Sequence, residues 1–226
     1  KAIAINENGE VLDLAANDYS IDTPHSNWAE QNPEVWWQAT IKSIKELDIR
    51  FKEVRSIGLS GQMHSLVLMD KNDEVLRPAI LWCDQRTKSE CKEITQKVGR
   101  STLIENTCNP ARTGFTAPKL LWVKKNEPSL YKKSAKLLLP KDYIRFKLTG
   151  ELATDVSDAS GTLLFDVKQR KWSTKITNLL GIEQDLLPAC YESPQITGEL
   201  TSEAARKTGL REGVSVVAGA GDQAAA

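Results

Sequence analysis

The sequence predicts an α/β domain with a mixed sheet and crossover helices. Three observations carry this. Residues 2–5 and 11–15 flank Asn6-Glu7-Asn8-Gly9, whose Asn-Gly pair favours the positive φ angles of a tight hairpin turn. β-prone runs then alternate with stretches of helical period. The chain closes on VSVVAGAGDQAAA, residues 214–226, where a continuous apolar run enters a glycine-rich turn as a buried parallel strand would.

The remaining elements follow in order. Asn32-Pro33-Glu34 supplies a cap, a proline at the first helical position and an early acidic residue. The helix it opens runs to about Leu47, with Val35, Trp36, Ala39, Ile41 and Ile44 near a 3.6-residue period. Strands are expected over residues 54–60, 66–69 and 75–82, and a helix over residues 87–98 with Cys91, Ile94 and Val98 on one face. Residues 118–125 read as a helix that Asn126-Glu127-Pro128 stops. Residues 137–139 are a short apolar run, and residues 141–148 a helix closed by Thr149-Gly150. Residues 160–167 read as a strand region, 174–180 as a helix ending at Gly181, and 201–208 as a helix ending at Gly209. Trp28, Trp36 and Trp37 read as core and edge packing, and the lysines and arginines between Lys119 and Lys147 as a solvated face.

Composition narrows the function classes. The 226 residues suffice for a sizeable core, as one large domain or two small ones, and 40% hydrophobic with 27% charged residues mark an ordinary globular protein. Thirty basic residues balance 30 acidic ones, so no face is dedicated to nucleic acid or an anionic membrane. No apolar run approaches the roughly 18 residues of a membrane span, and no leader pattern opens the chain. Cys83, Cys91, Cys108 and Cys190 form no C-x-x-C pair, and with only His25 and His64 as histidines no metal site is expected. Reduced cysteines and a cytoplasmic location are the expectation. The chain opens without Met inside an apolar alternation and stops four residues past Asp222, so it reads as a fragment of a longer protein.

Three clusters carry candidate chemistry. In Ser60-Gly61-Gln62-Met63-His64, a glycine after a strand allows a sharp turn, and Gln62 and His64 offer hydrogen bonds suited to sugar hydroxyls; the bland reading is a loop with a structural histidine. The near match of residues 58–62 to G-x-S-x-G fails at Gln62. Trp82-Cys83-Asp84-Gln85-Arg86 joins a flat apolar ring to a carboxylate and a guanidinium that either fix a stacked sugar or pair with each other. Asp222 stands at the tip of the closing strand, where open α/β sheets bind ligands. Gly219–Ala224 also fits the dinucleotide pattern G-x-G-x-x-A, but a carboxylate in that turn would repel pyrophosphate. The same carboxylate suits a base that takes a proton from an alcohol attacking a phosphoryl group, or simply a helix cap.

Six segments in order resemble the FGGY carbohydrate kinases, most closely the xylulokinases among them: residues 58–64 (GLSGQMH), 77–86 (RPAILWCDQR), 114–126 (GFTAPKLLWVKKN), 139–151 (LPKDYIRFKLTGE), 157–162 (SDASGT) and 219–223 (GAGDQ). The third fits the family's first signature through Gly114, Thr116, Lys119, Trp122 and Asn126. The resemblance spans the chain as an N-terminal sugar-binding domain of ribonuclease-H-like fold, the type shared with actin and hexokinase. It implies ATP-dependent phosphorylation of D-xylulose to xylulose 5-phosphate, with another sugar or polyol, or a non-catalytic sugar-binding module, as alternatives. Asp222 falls on the family's catalytic aspartate, and Met63 and His64 on positions that contact xylulose. Gln223 stands where many members carry Asn, keeping the amide on a longer arm. Gln62, Trp82, Asp84 and Arg86 are carried over as walls and supports of the sugar pocket. The family's phosphate loop belongs before Lys1 and its ATP-binding second domain after Ala226, so ATP and Mg²⁺ are expected to be held mainly by parts outside this chain, and the fragment alone to be inactive. The expected partner is a small-molecule sugar, with no nucleic acid or membrane, and a homodimer of the full-length protein is left open.

Overall fold

A computed structural model describes residues 1–226. Strands β1 (Ala2–Ile5) and β2 (Val11–Ala15) form the expected antiparallel hairpin, with an irregularity between Ala4 and Ile5. After β3 (Glu30–Gln31) comes α1 (Pro33–Lys45), whose N-cap Asn32 side chain accepts from the Glu34 N–H, as its sequence requires. The run at 54–60 is broken at Gly58-Leu59 into β4 (Ser56–Ile57) and β5 (Ser60–Gly61), and β6 (Val67–Met69) and β7 (Ala79–Ile80) are shorter than their apolar runs. Helix α2 (Lys88–Val98) appears as expected, but α3 (Arg100–Thr107) directly after it was not legible, because Leu103 and Ile104 mark no repeating apolar face.

The second half runs α4 (Thr116–Asn126), α5 (Pro128–Tyr131), β8 (Lys136–Leu138), α6 (Pro140–Thr149) and β9 (Ala153–Asp155). The strand expected over 160–167 is largely replaced by α7 (Val156–Ser160) and a turn, leaving only β10 (Phe165–Asp166). A cap decides this: the Asp155 side chain accepts from the Ser157 and Asp158 N–H groups and starts a helix there. Then come β11 (Lys171–Trp172), α8 (Thr174–Leu180), β12 (Ala189–Tyr191), β13 (Ile196–Glu199) and α9 (Ser202–Thr208), followed by β14 (Ser215–Val217), β15 (Ala220–Gly221) and α10 (Asp222–Ala225). Caps from Ser173 and Thr201 open α8 and α9 as their sequences direct.

The centre is buried on both faces. β6 pairs antiparallel with β8, and a Leu66–Ile80 bridge joins β6 to the β7 strand, itself antiparallel to β3. Alternation then sorts the side chains. Leu66, Leu68, Ile80 and Leu137 pack with Ile94, Leu103, Leu120 and Ile176 from α2, α3, α4 and α8. Val67, Met69, Leu81 and Leu138 pack with Trp36, Trp37, Leu148 and Ala204 from α1, α6 and α9 on the other face. The result is helices on both sides of an antiparallel centre, with parallel pairings in further small sheets beside it, an α/β arrangement of the actin/hexokinase type. No helix is long and apolar enough to cross a membrane.

Two parallel pairings run beside this centre and end at the site. β14 lies parallel to β4, and after a turn at Gly219 β15 lies parallel to β5, with Gly221 opposite Gly61. The closing apolar run is therefore parallel on one edge as expected, interrupted once, while its other edge pairs antiparallel with β13. The expected solvated basic face is corrected in part: Lys125, Lys132 and Lys133 are exposed, but Lys119, Lys141 and Arg145 are fully buried, with carbonyls and carboxylates around them. Trp36 and Trp37 are core, and Trp28 is partly exposed.

Candidate active site

The parallel pairing of β5 with β15 sets the loop Gln62-Met63-His64 beside the chain entering Asp222. Met63 lies flat on Gly221: a Cβ at that position would sit 2.7 Å from Met63 Cγ and 2.8 Å from its sulfur. His64 lies equally close over Gly161, where a Cβ would come within 2.5 Å of the ring. Both positions need glycine for steric reasons. Asp222 begins α10 and is half-buried; its Oδ1 accepts from the Gln223 N–H at 2.9 Å, while Oδ2 is free.

His64 has a defined protonation. Its Nδ1 is 2.7 Å from the Gly161 carbonyl, which only accepts, so Nδ1 carries the proton. Burial holds the imidazole below its ordinary pKa, against the raising pull of the Gly161 hydrogen bond and of the Asp222 charge. A neutral ring with Nδ1–H leaves Nε2 as an acceptor for a ligand hydroxyl. The residue itself is clamped. Its φ is 70°, and its carbonyl accepts from Thr116 Oγ1 at 3.0 Å and from Lys119 Nζ at 2.9 Å. Lys119 Nζ also donates to the Gly114 carbonyl, and burial pushes its ammonium down to about 7. Phe115 closes the outer side, its ring edge-on to the His64 ring at 4.8 Å.

The other expected residues divide. Gln62 is partly exposed beside the same turn, with only long contacts of 3.5 Å to Gln31 and Ser65. Gln223 is exposed on α10. Trp82 is 54% exposed, and its backbone N–H donates to Ser65 Oγ, one residue past His64.

Asp84 and Arg86 are corrected. Arg86 forks onto Asp84 with bonds of 2.7–3.0 Å, and the side chains are 0% and 1% exposed. The Arg86 guanidinium also stacks 3.6 Å from the Trp28 ring centroid and bonds Glu30 at 2.7 Å, while Asp84 Oδ2 accepts from the Ala29 N–H. The pair seals the loop bearing Trp82 to the 28–30 segment and presents no group to a ligand. A desolvated, bidentate pair of this kind is a structural element.

Sequence reasoning missed the supports: Gly161, Thr116 and Lys119 around His64, and Ser157 and Lys141 beneath Asp222. Gly161 and Lys119 lie inside recognisable motifs, but nothing in their local sequence says what they touch. All four cysteines are free; burial pushes the Cys91 thiol up to about 11 and Cys190 up to about 12, so neither is an activated nucleophile.

Comparison with known proteins now decides the family. Residues 1–226 match the family described as "FGGY family of carbohydrate kinases, N-terminal domain". The chain belongs to the FGGY carbohydrate kinases. A xylulose kinase of Escherichia coli (strain K12) is 45% identical over 227 residues, covering 100% of this chain and 46% of that protein. Among solved structures, one from Brucella ovis described as a "xyloylose kinase" superposes with a TM-score of 0.93 at 38% identity, covering 99% of this chain and 46% of its own. A gluconate kinase from Lactobacillus acidophilus gives 0.91 at 26% identity, with 97% and 45% covered. This FGGY chain thus spans about half the length of the curated relatives it matches.

Proposed function

We propose that this FGGY domain holds D-xylulose and accepts the proton of its terminal hydroxyl during phosphorylation to xylulose 5-phosphate. The observation that carries this is the convergence of Met63 and His64 on the turn that presents the free Oδ2 of Asp222. The relatives named xylulose kinase support the choice of sugar. His64 Nε2 accepts from one sugar hydroxyl and orients it, Met63 and Trp82 supply apolar surface for the carbon chain, and Asp222 Oδ2 takes the proton of the hydroxyl that becomes nucleophilic. Gln62 and Gln223 offer amides from the two sides of the turn.

Such a kinase uses ATP with Mg²⁺ as the phosphoryl source. Asp222 gives one carboxylate, where a magnesium ion takes about six oxygens, and no group of three or more His, Cys, Asp or Glu side chains is arranged to hold a metal. The residues of this chain do not by themselves form that site, and we assign it to a phosphate loop and a second domain in the full-length protein. The chain alone is then inactive.

A substrate panel on the full-length kinase tests the sugar. The highest kcat/KM is expected for D-xylulose, above gluconate, glycerol and other pentuloses. The gluconate kinase neighbour favours a sugar acid as the second reading, and a higher kcat/KM for gluconate would establish it. Absence of phosphorylation with bound sugar would leave a sugar-binding module instead.

The close contact over Gly161 gives a sharper test of the sugar contact. In Gly161→Ala the new methyl must push the His64 ring aside. The sugar KM is expected to rise by about fivefold or more, the lower end of an overpacking cost of about 1–3 kcal/mol. An unchanged KM would remove His64 from the sugar pocket.

A further inference from the structure

Beneath the Asp222 turn lies a buried charge cluster that the proposed chemistry does not use. Lys141, at the start of α6, points its Nζ at Asp142 Oδ1 (2.6 Å), Asp155 Oδ1 (3.0 Å) and Asp158 Oδ2 (3.5 Å), and all four side chains are fully buried. It sits directly under β5, where a Cβ on Gly61 would be 3.0 Å from its own. The other oxygen of Asp155 points away from Lys141 and accepts from Ser157 Oγ at 2.5 Å and from Ser193 Oγ at 2.7 Å.

Both serines reach the glycine turn. Ser157 Oγ, whose hydroxyl donates a hydrogen bond to Asp155, accepts from the Gly221 N–H at 3.1 Å, and the Ser193 carbonyl accepts from the Gly219 N–H at 3.1 Å. The Gly221 bond follows from strand geometry. In a parallel ladder alternate residues bond to the same neighbour, and Ala220 N–H already donates to Leu59 on the β5 side. Gly221 N–H therefore faces the opposite edge, where the Ser157 hydroxyl meets it. Asp222 is the next residue.

We propose that Ser157 is a positioning residue for Asp222. Its hydroxyl, anchored through Asp155 on Lys141, fixes the Gly221 peptide and with it the direction in which the Asp222 carboxylate leaves the strand. A carboxylate with one oxygen held by the Gln223 N–H has little other support, so the backbone before it sets its aim. The inference rests on Asp222 being the base.

The test uses the full-length kinase with Ser157→Ala, Ser157→Thr, Asp222→Asn and the Ser157→Ala/Asp222→Asn pair. Ser157→Ala is expected to lower kcat by about 10- to 100-fold, the scale of a small misplacement of a catalytic group. The Kd for sugar alone should change little, and Ser157→Thr, which keeps the hydroxyl, should recover most of the rate. In the Asp222→Asn background Ser157→Ala should cost nothing further, since the two act as one unit. Hydrogen exchange at the Gly221 amide should quicken in Ser157→Ala and not in Ser157→Thr. A full additional loss in the double variant, or unchanged Gly221 exchange in Ser157→Ala, would overturn the inference. Full kcat in Asp222→Asn would instead sink the base reading, and the exchange measurement separates the two failures.

Discussion

Replacing Asp222 with Asn in the full-length kinase is expected to lower kcat for D-xylulose by about 10²–10⁴-fold, the usual contribution of a positioned general base. The amide keeps the size of the side chain and an oxygen for the Gln223 N–H, but loses the basic site that Oδ2 provides. Sugar affinity should change little, because Met63, His64 and Trp82 stay in place. Steady-state kinetics with a separate measurement of xylulose Kd checks both halves. A variant with near wild-type kcat would mean that the hydroxyl loses its proton elsewhere, and that Asp222 is only the acidic first residue of α10.

The second large effect concerns stability. One ammonium faces three carboxylates in the buried cluster, and no hydrogen bond reaches either Asp158 oxygen. Burial raises the Asp158 carboxyl well above its ordinary value of 3.8, and the charges of Asp142 and Asp155 add to this against the pull of Lys141. Asp155 differs: burial pushes it up, but Lys141 and the two serine hydroxyls outweigh that and hold it below the usual range. Lys141→Met removes the only cation and is expected to cost about 3–5 kcal/mol at neutral pH, the penalty for uncompensated buried charge. Asp158→Asn should be neutral or stabilising there.

The pH dependence has a definite sign. A carboxyl whose folded pKa lies above its unfolded value contributes stability below the unfolded pKa and loses it as pH rises toward the folded one, because the unfolded chain releases its proton first. Asp158→Asn removes that loss, so its Tm should gain on the parent as pH rises above the ordinary aspartate value of 3.8. Lys141→Met should recover part of its deficit as pH falls and the carboxylates protonate. Thermal unfolding of the full-length variants between about pH 5 and pH 8 reads both trends. Equal destabilisation of Lys141→Met and Asp158→Asn at neutral pH would contradict this account.

Much of the fold and the reacting turn was legible because the signals are local. Asn32, Ser173 and Thr201 cap the N–H groups that follow them, Asn8-Gly9 shapes its own turn, and the apolar run before Gly219 announces a buried strand wherever it packs. Asp222 could be singled out because it is the one carboxylate at the end of such a run. α7 was missed because its five residues are too few to show a helical period, and α3 because it presents no apolar stripe.

The sequence by itself determined the α/β class, the ends of the helices with a clear apolar period, the hairpin, the order of the motifs and the candidate residues Met63, His64 and Asp222. Only the tertiary structure decided which polar groups face a ligand. The Asp84–Arg86 pair has the same local sequence whether it lines a pocket or closes a core; Glu30, Ala29 and Trp28, more than fifty residues earlier, bury it. Lys119 and Lys141 sit in stretches that read as solvated, yet each is buried because backbone carbonyls in one case and three aspartates in the other replace water around the ammonium. A charge's solvation is set by atoms that folding brings around it, and the local run of residue types does not say which atoms those are.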